Sequence, residues 1–105
     1  MAKIIWAPSA LKDIESIAEY IERDSVDQAI LFVSRVIEMT DQLEYFPESG
    51  RIIPEIKDKN CRELIYGAYR IMYHLVKGEV WITGVTHGAR NWHPRQNDFK
   101  DKLIL

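Results

Sequence analysis

The chain has 105 residues, of which 47% are hydrophobic and 29% charged, and its formal net charge at pH 7 is −2. This length is typical of one domain, and the apolar content excludes both an intrinsically disordered chain and, because charges interrupt every apolar stretch, a membrane-spanning helix. The single cysteine excludes an internal disulfide and suits a reducing compartment. Because no N-terminal apolar run is long enough for a signal peptide, we expect a cytoplasmic protein.

The first elements in the chain are a short strand and a helix. Residues 3–6 form an apolar run that Pro8 must end, because proline lacks the amide that a strand ladder needs. Proline is well placed in the first turn of a helix, where that amide has no partner anyway. Apolar residues then recur at helical spacing over about 15 residues, and these are Leu11, Ile14, Ile17, Ala18 and Ile21.

A second helix is predicted to begin after Ser25. The serine has the character of an N-cap, and Gln28 follows three residues later, as in a capping box. The apolar periodicity continues to about Phe46, and Pro47 should stop the helix there. Because only a few residues connect the two helices, we expect an antiparallel helical hairpin of the kind that covers one face of a sheet.

The second half of the chain predicts the sheet. Residues 47–60 are rich in turn formers and read as irregular, whereas residues 62–66, 69–76 and 80–87 are rich in β-branched and aromatic side chains. Tight turns at residues 67–68 and 77–79 should connect them as hairpins. Both faces of the middle strand are largely apolar, which favours a central position.

The predicted fold class is therefore α+β, with the order β-α-α-β-β-β. An N-terminal strand and an antiparallel two-helix hairpin pack on a mainly antiparallel sheet. We expect one domain over residues 1–90, with residues 91–105 as its C-terminal tail.

The charge is unevenly distributed along the chain. Residues 1–50 carry four basic and ten acidic side chains, a balance of −6, whereas residues 51–105 carry ten basic and six acidic ones, a balance of +4. A protein that grips nucleic acid with its whole surface would be basic overall. An anionic partner could therefore bind only to the half formed by residues 51–105.

Four residues of that half, with Glu55 as a fifth and alternative one, could support metal-free RNA cleavage. His87 could act as the acid or base, because histidine is the side chain that ordinarily exchanges protons near neutral pH. Arg62, Arg70 and Arg90 could stabilise the charge that builds on phosphorus, and Glu55 is an alternative base. In the competing interpretation, Arg62 and Arg70 pair with Glu63 or with the acidic helices, and His87 is a structural hydrogen-bonding residue.

No other chemistry is indicated by the sequence. The chain has no paired cysteines or histidines at zinc-binding spacing, no glycine-rich phosphate loop and no G-x-S-x-G motif. We therefore expect neither a metal nor an organic cofactor.

The motifs in this order resemble the RelE/ParE superfamily of toxins from type II toxin–antitoxin modules, which includes plasmid stabilisation proteins. The resemblance extends from about Ile4 to Arg90. It begins with Trp6, Pro8 to Ala10, Asp13-Ile14 and Ala18 to Ile21, and continues with Ala29, Leu43 to Pro47, Ser49 to Arg51 and Pro54-Glu55. Its most specific parts are Arg62 to Leu64, Tyr69 to Tyr73, Val85 and His87 to Arg90.

The resemblance implies a growth-inhibiting toxin that a cognate antitoxin neutralises. ParE-like members inhibit DNA gyrase and are not nucleases, whereas RelE-like members cut mRNA on the ribosome. The segment from Pro47 to Arg51 and the acidic net charge favour the ParE-like branch. The alternative is a RelE-like endoribonuclease that uses Arg62, Arg70, His87 and Arg90.

The antitoxin should bind along the sheet and the helical hairpin, as an added strand or in an apolar groove. Apolar residues expected to be exposed for this contact are Ile52, Ile53, Ile56 and Leu103 to Leu105.

Overall fold

A computed structural model of the protein describes residues 1–88, which form two helices and a five-stranded sheet. The elements in chain order are β1 (Lys3–Trp6), α1 (Pro8–Glu22), α2 (Val26–Asp41), a short 3₁₀ turn (Gln42–Glu44), β2 (Arg51–Ile52), β3 (Cys61–Tyr66), β4 (Tyr69–Val76) and β5 (Glu79–His87). The predicted α+β class and element order are confirmed. Strand β2 is an addition, because it lies within the segment that was predicted to be irregular.

Both helices begin where their sequence signals lie. Pro8 is the first residue of α1, and the Ser25 hydroxyl accepts a hydrogen bond of 3.1 Å from the Gln28 amide at the start of α2. The end of α2 was predicted too late, at about residue 46 instead of Asp41. The chain tightens there into the 3₁₀ turn, which keeps Leu43 fully buried while Phe46 points outward.

The sheet has the strand order β1-β5-β4-β3-β2, so β4 is central, as its apolar faces predicted. Strand β1 runs parallel to β5, and all other neighbours are antiparallel. The hairpin turns lie at Gly67-Ala68 and Lys77-Gly78, and Lys77 and both glycines adopt a positive φ. This geometry matches the right-handed twist of the flanking strands.

The two helices cover one face of the sheet and enclose the main core. The fully buried part of that core includes Ala10, Val36, Leu43, Ile71, Tyr73 and Ile82. On the other face, the segment between β2 and β3 folds back and buries Ile53 against Cys61 and Met72. The prediction that Ile53 is exposed was therefore wrong. The other apolar residues predicted to be exposed include Leu103 to Leu105, which lie outside the described residues.

Candidate functional site

The register of the central strands separates the predicted site residues. In the β3–β4 pair, Arg62 stands opposite Tyr73, whereas Arg70 stands opposite Ile65. Since side chains alternate between the faces of a sheet, Arg62 lies on the face that the helices cover and Arg70 lies on the other. The two arginines therefore do not converge on one anion.

Arg70 is the centre of a network of charged side chains on the face without helices. Its Nε donates to Glu63 Oε1 at 2.6 Å, and its two terminal nitrogens bind the Glu55 carboxylate at 2.7 and 2.8 Å. Arg51 Nε donates to the second oxygen of Glu63 at 2.5 Å. Two arginines and two carboxylates thus alternate in one chain of hydrogen bonds.

The centre of the network is closed to water, whereas the side chains at its two ends, Arg51 and Glu55, are 59% and 36% exposed. The Glu63 side chain has no exposed surface, and that of Arg70 is 10% exposed. The hydrogen bond from Arg70 holds the pKa of Glu55 below its usual value, and the two carboxylates raise the pKa of Arg70 further. Glu55 and Arg70 are therefore both charged at neutral pH.

An open cavity of about 410 Å³ adjoins this network. Its lining includes Arg51, Pro54, Glu55, Ile65, Arg70 and Gly88. An anion that entered the cavity would have to displace the bidentate carboxylate of Glu55 from Arg70. The observed arrangement therefore cross-links β2, β3, β4 and the segment around Glu55, as the competing interpretation of Arg70 predicted.

Arg62 binds the backbone of the segments that precede its strand. Its guanidinium donates to the carbonyls of Lys59, Glu48 and Gly50 at 2.9, 3.2 and 2.9 Å. Tyr73, which is fully buried, supports the same segment: its hydroxyl donates to the Pro47 carbonyl at 2.8 Å and accepts from the Gly50 amide at 2.9 Å. Burial raises the pKa of the Tyr73 phenol, which stays a proton donor.

His87 lies at the end of β5, on the face that the helices cover. It stands opposite Tyr69, and the two rings meet edge to face with centroids 5.4 Å apart. A groove of about 420 Å³ runs between this strand end and α1, lined among others by Asp13, Tyr20 and His87. His87 and Arg70 therefore occupy opposite faces, and Arg90 lies outside the described residues.

The competing interpretation of the sequence named Glu63 as a partner of Arg62 and Arg70, and in the structure its carboxylate binds Arg70 and Arg51. A glutamate within an apolar strand is a signal of buried pairing. Glu63 stands opposite Arg51 of β2 and Met72 of β4, and Arg70 lies two residues before Met72 along β4. Among residues 1–88, no three His, Cys, Asp or Glu side chains lie where they could hold a metal ion. Neither helix of this part of the chain is long and apolar enough to cross a membrane.

Comparison with known proteins identifies relatives over most of the chain. The sequence profile described as "ParE toxin of type II toxin-antitoxin system, parDE" matches residues 4–92. A protein named "Putative toxin Y4kP" from Sinorhizobium fredii is 34% identical over 92 residues, which cover 86% of this chain and 92% of the relative. "Toxin RelE2" from Caulobacter vibrioides is 33% identical over 91 residues, which cover 86% of this chain and 99% of the relative.

A solved structure has a similar fold. A chain of the chromosomal ParDE toxin–antitoxin system from P. aeruginosa superimposes with a TM-score of 0.69 at 18% sequence identity. The match covers 83% of this chain and 96% of that one. At this identity the similarity concerns the fold alone.

Proposed function

Because this chain belongs to the ParE toxin family of type II toxin–antitoxin systems, we propose that its cellular target is DNA gyrase. A type II toxin has a cognate antitoxin as its partner. In this proposal the toxin acts in the cytoplasm as a binding inhibitor of gyrase, and it catalyses no reaction of its own.

One observation carries the proposal. Metal-free RNA cleavage needs an acid or base and several cations around one phosphate. Among residues 1–88 the sheet separates Arg62 from Arg70, and the hydrogen bonds of both go to other parts of the protein. Residues 1–88 therefore do not bring together a set of groups that could hold a phosphate.

The charge distribution supports the same conclusion. The helical half has a balance of −6, and an acidic surface repels the phosphates of mRNA and of ribosomal RNA. A protein with basic surfaces is a more suitable partner, and gyrase must have such surfaces because it binds DNA.

The second candidate function is a RelE-like endoribonuclease, and it is favoured by the position of His87. This side chain lines an open groove, where a nucleotide could reach it. In that case Arg90, beyond the described residues, would have to supply the cation that Arg62 and Arg70 do not.

The two functions can be distinguished in growing cells in which toxin and antitoxin are expressed from separately controlled promoters. We expect induction of the toxin alone to cause double-strand DNA breaks, to leave mRNA 5′ ends unchanged, and to be equally toxic with His87→Ala. Cuts at fixed codon positions that disappear in His87→Ala would contradict the proposal. A strain that expresses both toxin and antitoxin is the matched control.

A further inference from the structure

Two adjacent aromatic side chains are exposed where the helical hairpin ends. Tyr45 and Phe46 are 63% and 65% exposed, and Pro47 follows them. We call these three residues the aromatic platform. A shallow depression of about 370 Å³ lies beside it, lined by Phe46, Pro47, Glu48 and Ser49. Aromatic side chains of this size contribute strongly to protein interfaces when a partner buries them.

The backbone beneath the platform is held rigidly. The carbonyls of Phe46, Pro47, Glu48 and Gly50 all accept hydrogen bonds, from Ser49, Tyr73 and Arg62. The Glu44 carbonyl likewise accepts from the Ala2 amide at 2.9 Å. An exposed loop fixed in this way loses little conformational entropy when it binds, so more of the contact energy appears as affinity.

Gly50 allows this arrangement because it has no side chain. A Cβ atom at this position would lie 2.6 Å from the Glu63 carbonyl and 2.6 Å from the Tyr73 hydroxyl. The close approach lets a buried tyrosine of the central strand hold a surface loop. Tyr73 and Arg62 are thus positioning residues for the platform, and neither would touch a partner.

Three acidic residues flank the platform in the sequence. Asp41, Glu44 and Glu48 lie within one turn of it along the chain, and within residues 1–88 they form no ion pair. The guanidinium of Arg62 is directed inward onto the loop carbonyls. The surface therefore combines aromatic rings with a negative rim, which suits a partner that presents arginine and lysine side chains, since these also stack on aromatic rings.

We propose that the aromatic platform, with its acidic rim, is the surface through which the toxin docks on a basic surface of gyrase. This inference rests on the proposed function, because it assigns the contact to that target. The antitoxin is a competing occupant, which the experiment separates from gyrase.

The test compares variants of the purified full-length toxin in gyrase supercoiling and in antitoxin binding. We expect Tyr45→Ala with Phe46→Ala to raise the half-inhibitory concentration at least about tenfold, with no change in antitoxin affinity. The matched control is Val26→Ala with Ile30→Ala, because these residues are each 60% exposed at the other end of α2. The control should leave inhibition unchanged.

Two further variants test the support and the rim. Tyr73→Phe removes only the hydroxyl, and it should weaken gyrase inhibition but not antitoxin binding, whereas general structural damage would weaken both. Glu44→Lys with Glu48→Lys should slow association with gyrase and reduce its dependence on salt, as expected for rim charges.

Three results would overturn the inference in distinguishable ways. If the platform variant inhibits gyrase as well as the wild type, the docking surface lies elsewhere and the proposed function stands. If that variant loses antitoxin binding but keeps gyrase inhibition, the platform is an antitoxin surface. If the wild-type toxin leaves gyrase unaffected, the inference and the proposed function both fail.

Discussion

Arg70 and Glu63 form an ion pair across neighbouring strands, with Arg70 Nε 2.6 Å from Glu63 Oε1 and no part of the Glu63 side chain exposed. Burying a carboxylate is costly unless its oxygens are paired with charged hydrogen-bond donors. Here one oxygen binds Arg70 and the other binds Arg51. The pair therefore fixes the relative positions of β2, β3 and β4 on the face that carries no helix.

Removal of the Glu63 charge should destabilise the protein strongly. Glu63→Gln leaves Arg70 buried beside a neutral amide, and we expect the free energy of unfolding to fall by about 3 kcal/mol. The measurement is urea unfolding followed by circular dichroism at pH 7. Glu38→Gln is the control, because its partner Arg35 is on the exposed surface of α2. A Glu63→Gln variant as stable as this control would show that the network contributes nothing.

Stability should depend on pH through Glu55. The pKa of this carboxyl is lowered from the usual 4.5, mainly by its hydrogen bonds with Arg70. A lowered pKa in the folded state stabilises the protein above the unfolded value, and that contribution disappears as the pH falls through the folded value. We therefore expect the urea midpoint to decrease below about pH 4.5, with a smaller decrease in Glu55→Gln. Identical pH profiles for the two proteins would contradict this prediction.

Cys61 should be unreactive in the folded protein. Burial raises the pKa of its thiol to about 11, so at pH 8 very little thiolate is present. We expect alkylation by iodoacetamide at pH 8 to be at least about 100-fold slower in native protein than in urea. Mass spectrometry gives the rate directly, because the chain contains a single cysteine. Equal rates in the two conditions would mean that the segment over Cys61 opens readily.

Gly50→Ala should be more destabilising than Gly67→Ala. The new methyl group at position 50 would overlap the backbone of Glu63, whereas at position 67 it meets no atom within 4 Å and costs only the strain of a positive φ. We expect losses of about 3 kcal/mol for Gly50→Ala and about 1 kcal/mol for Gly67→Ala in thermal or urea unfolding. The reverse order would mean that the Gly50 loop moves away from Tyr73 at little cost.

Local signals in the sequence were sufficient to predict most of the fold. Pro8 and Ser25 define where the helices begin, and the apolar periodicity defines their buried faces. The late end predicted for α2 has a simple reason: Leu43 and Phe46 continue the apolar pattern, but only Leu43 is buried, and a 3₁₀ turn separates them.

The candidate site was less accessible to sequence reasoning, because it depends on register. Alternation along β4 places Arg70 and Tyr73 on opposite faces, but only the pairing of Arg62 with Tyr73 shows that Arg62 and Arg70 are separated by the sheet. Strand β2 has two residues and no period of its own, so its pairing of Arg51 with Glu63 could not be predicted. The burial of Ile53 could not be predicted either, because it depends on how the largely polar segment between β2 and β3 folds back onto the sheet.

The most direct test of the gyrase assignment is a supercoiling assay with purified toxin, purified gyrase and relaxed plasmid. We expect the toxin to block supercoiling, cleaved DNA to accumulate as a complex with gyrase, and the cognate antitoxin to restore activity. Unchanged supercoiling at micromolar toxin, together with codon-specific mRNA cleavage in a translation extract, would contradict the gyrase assignment.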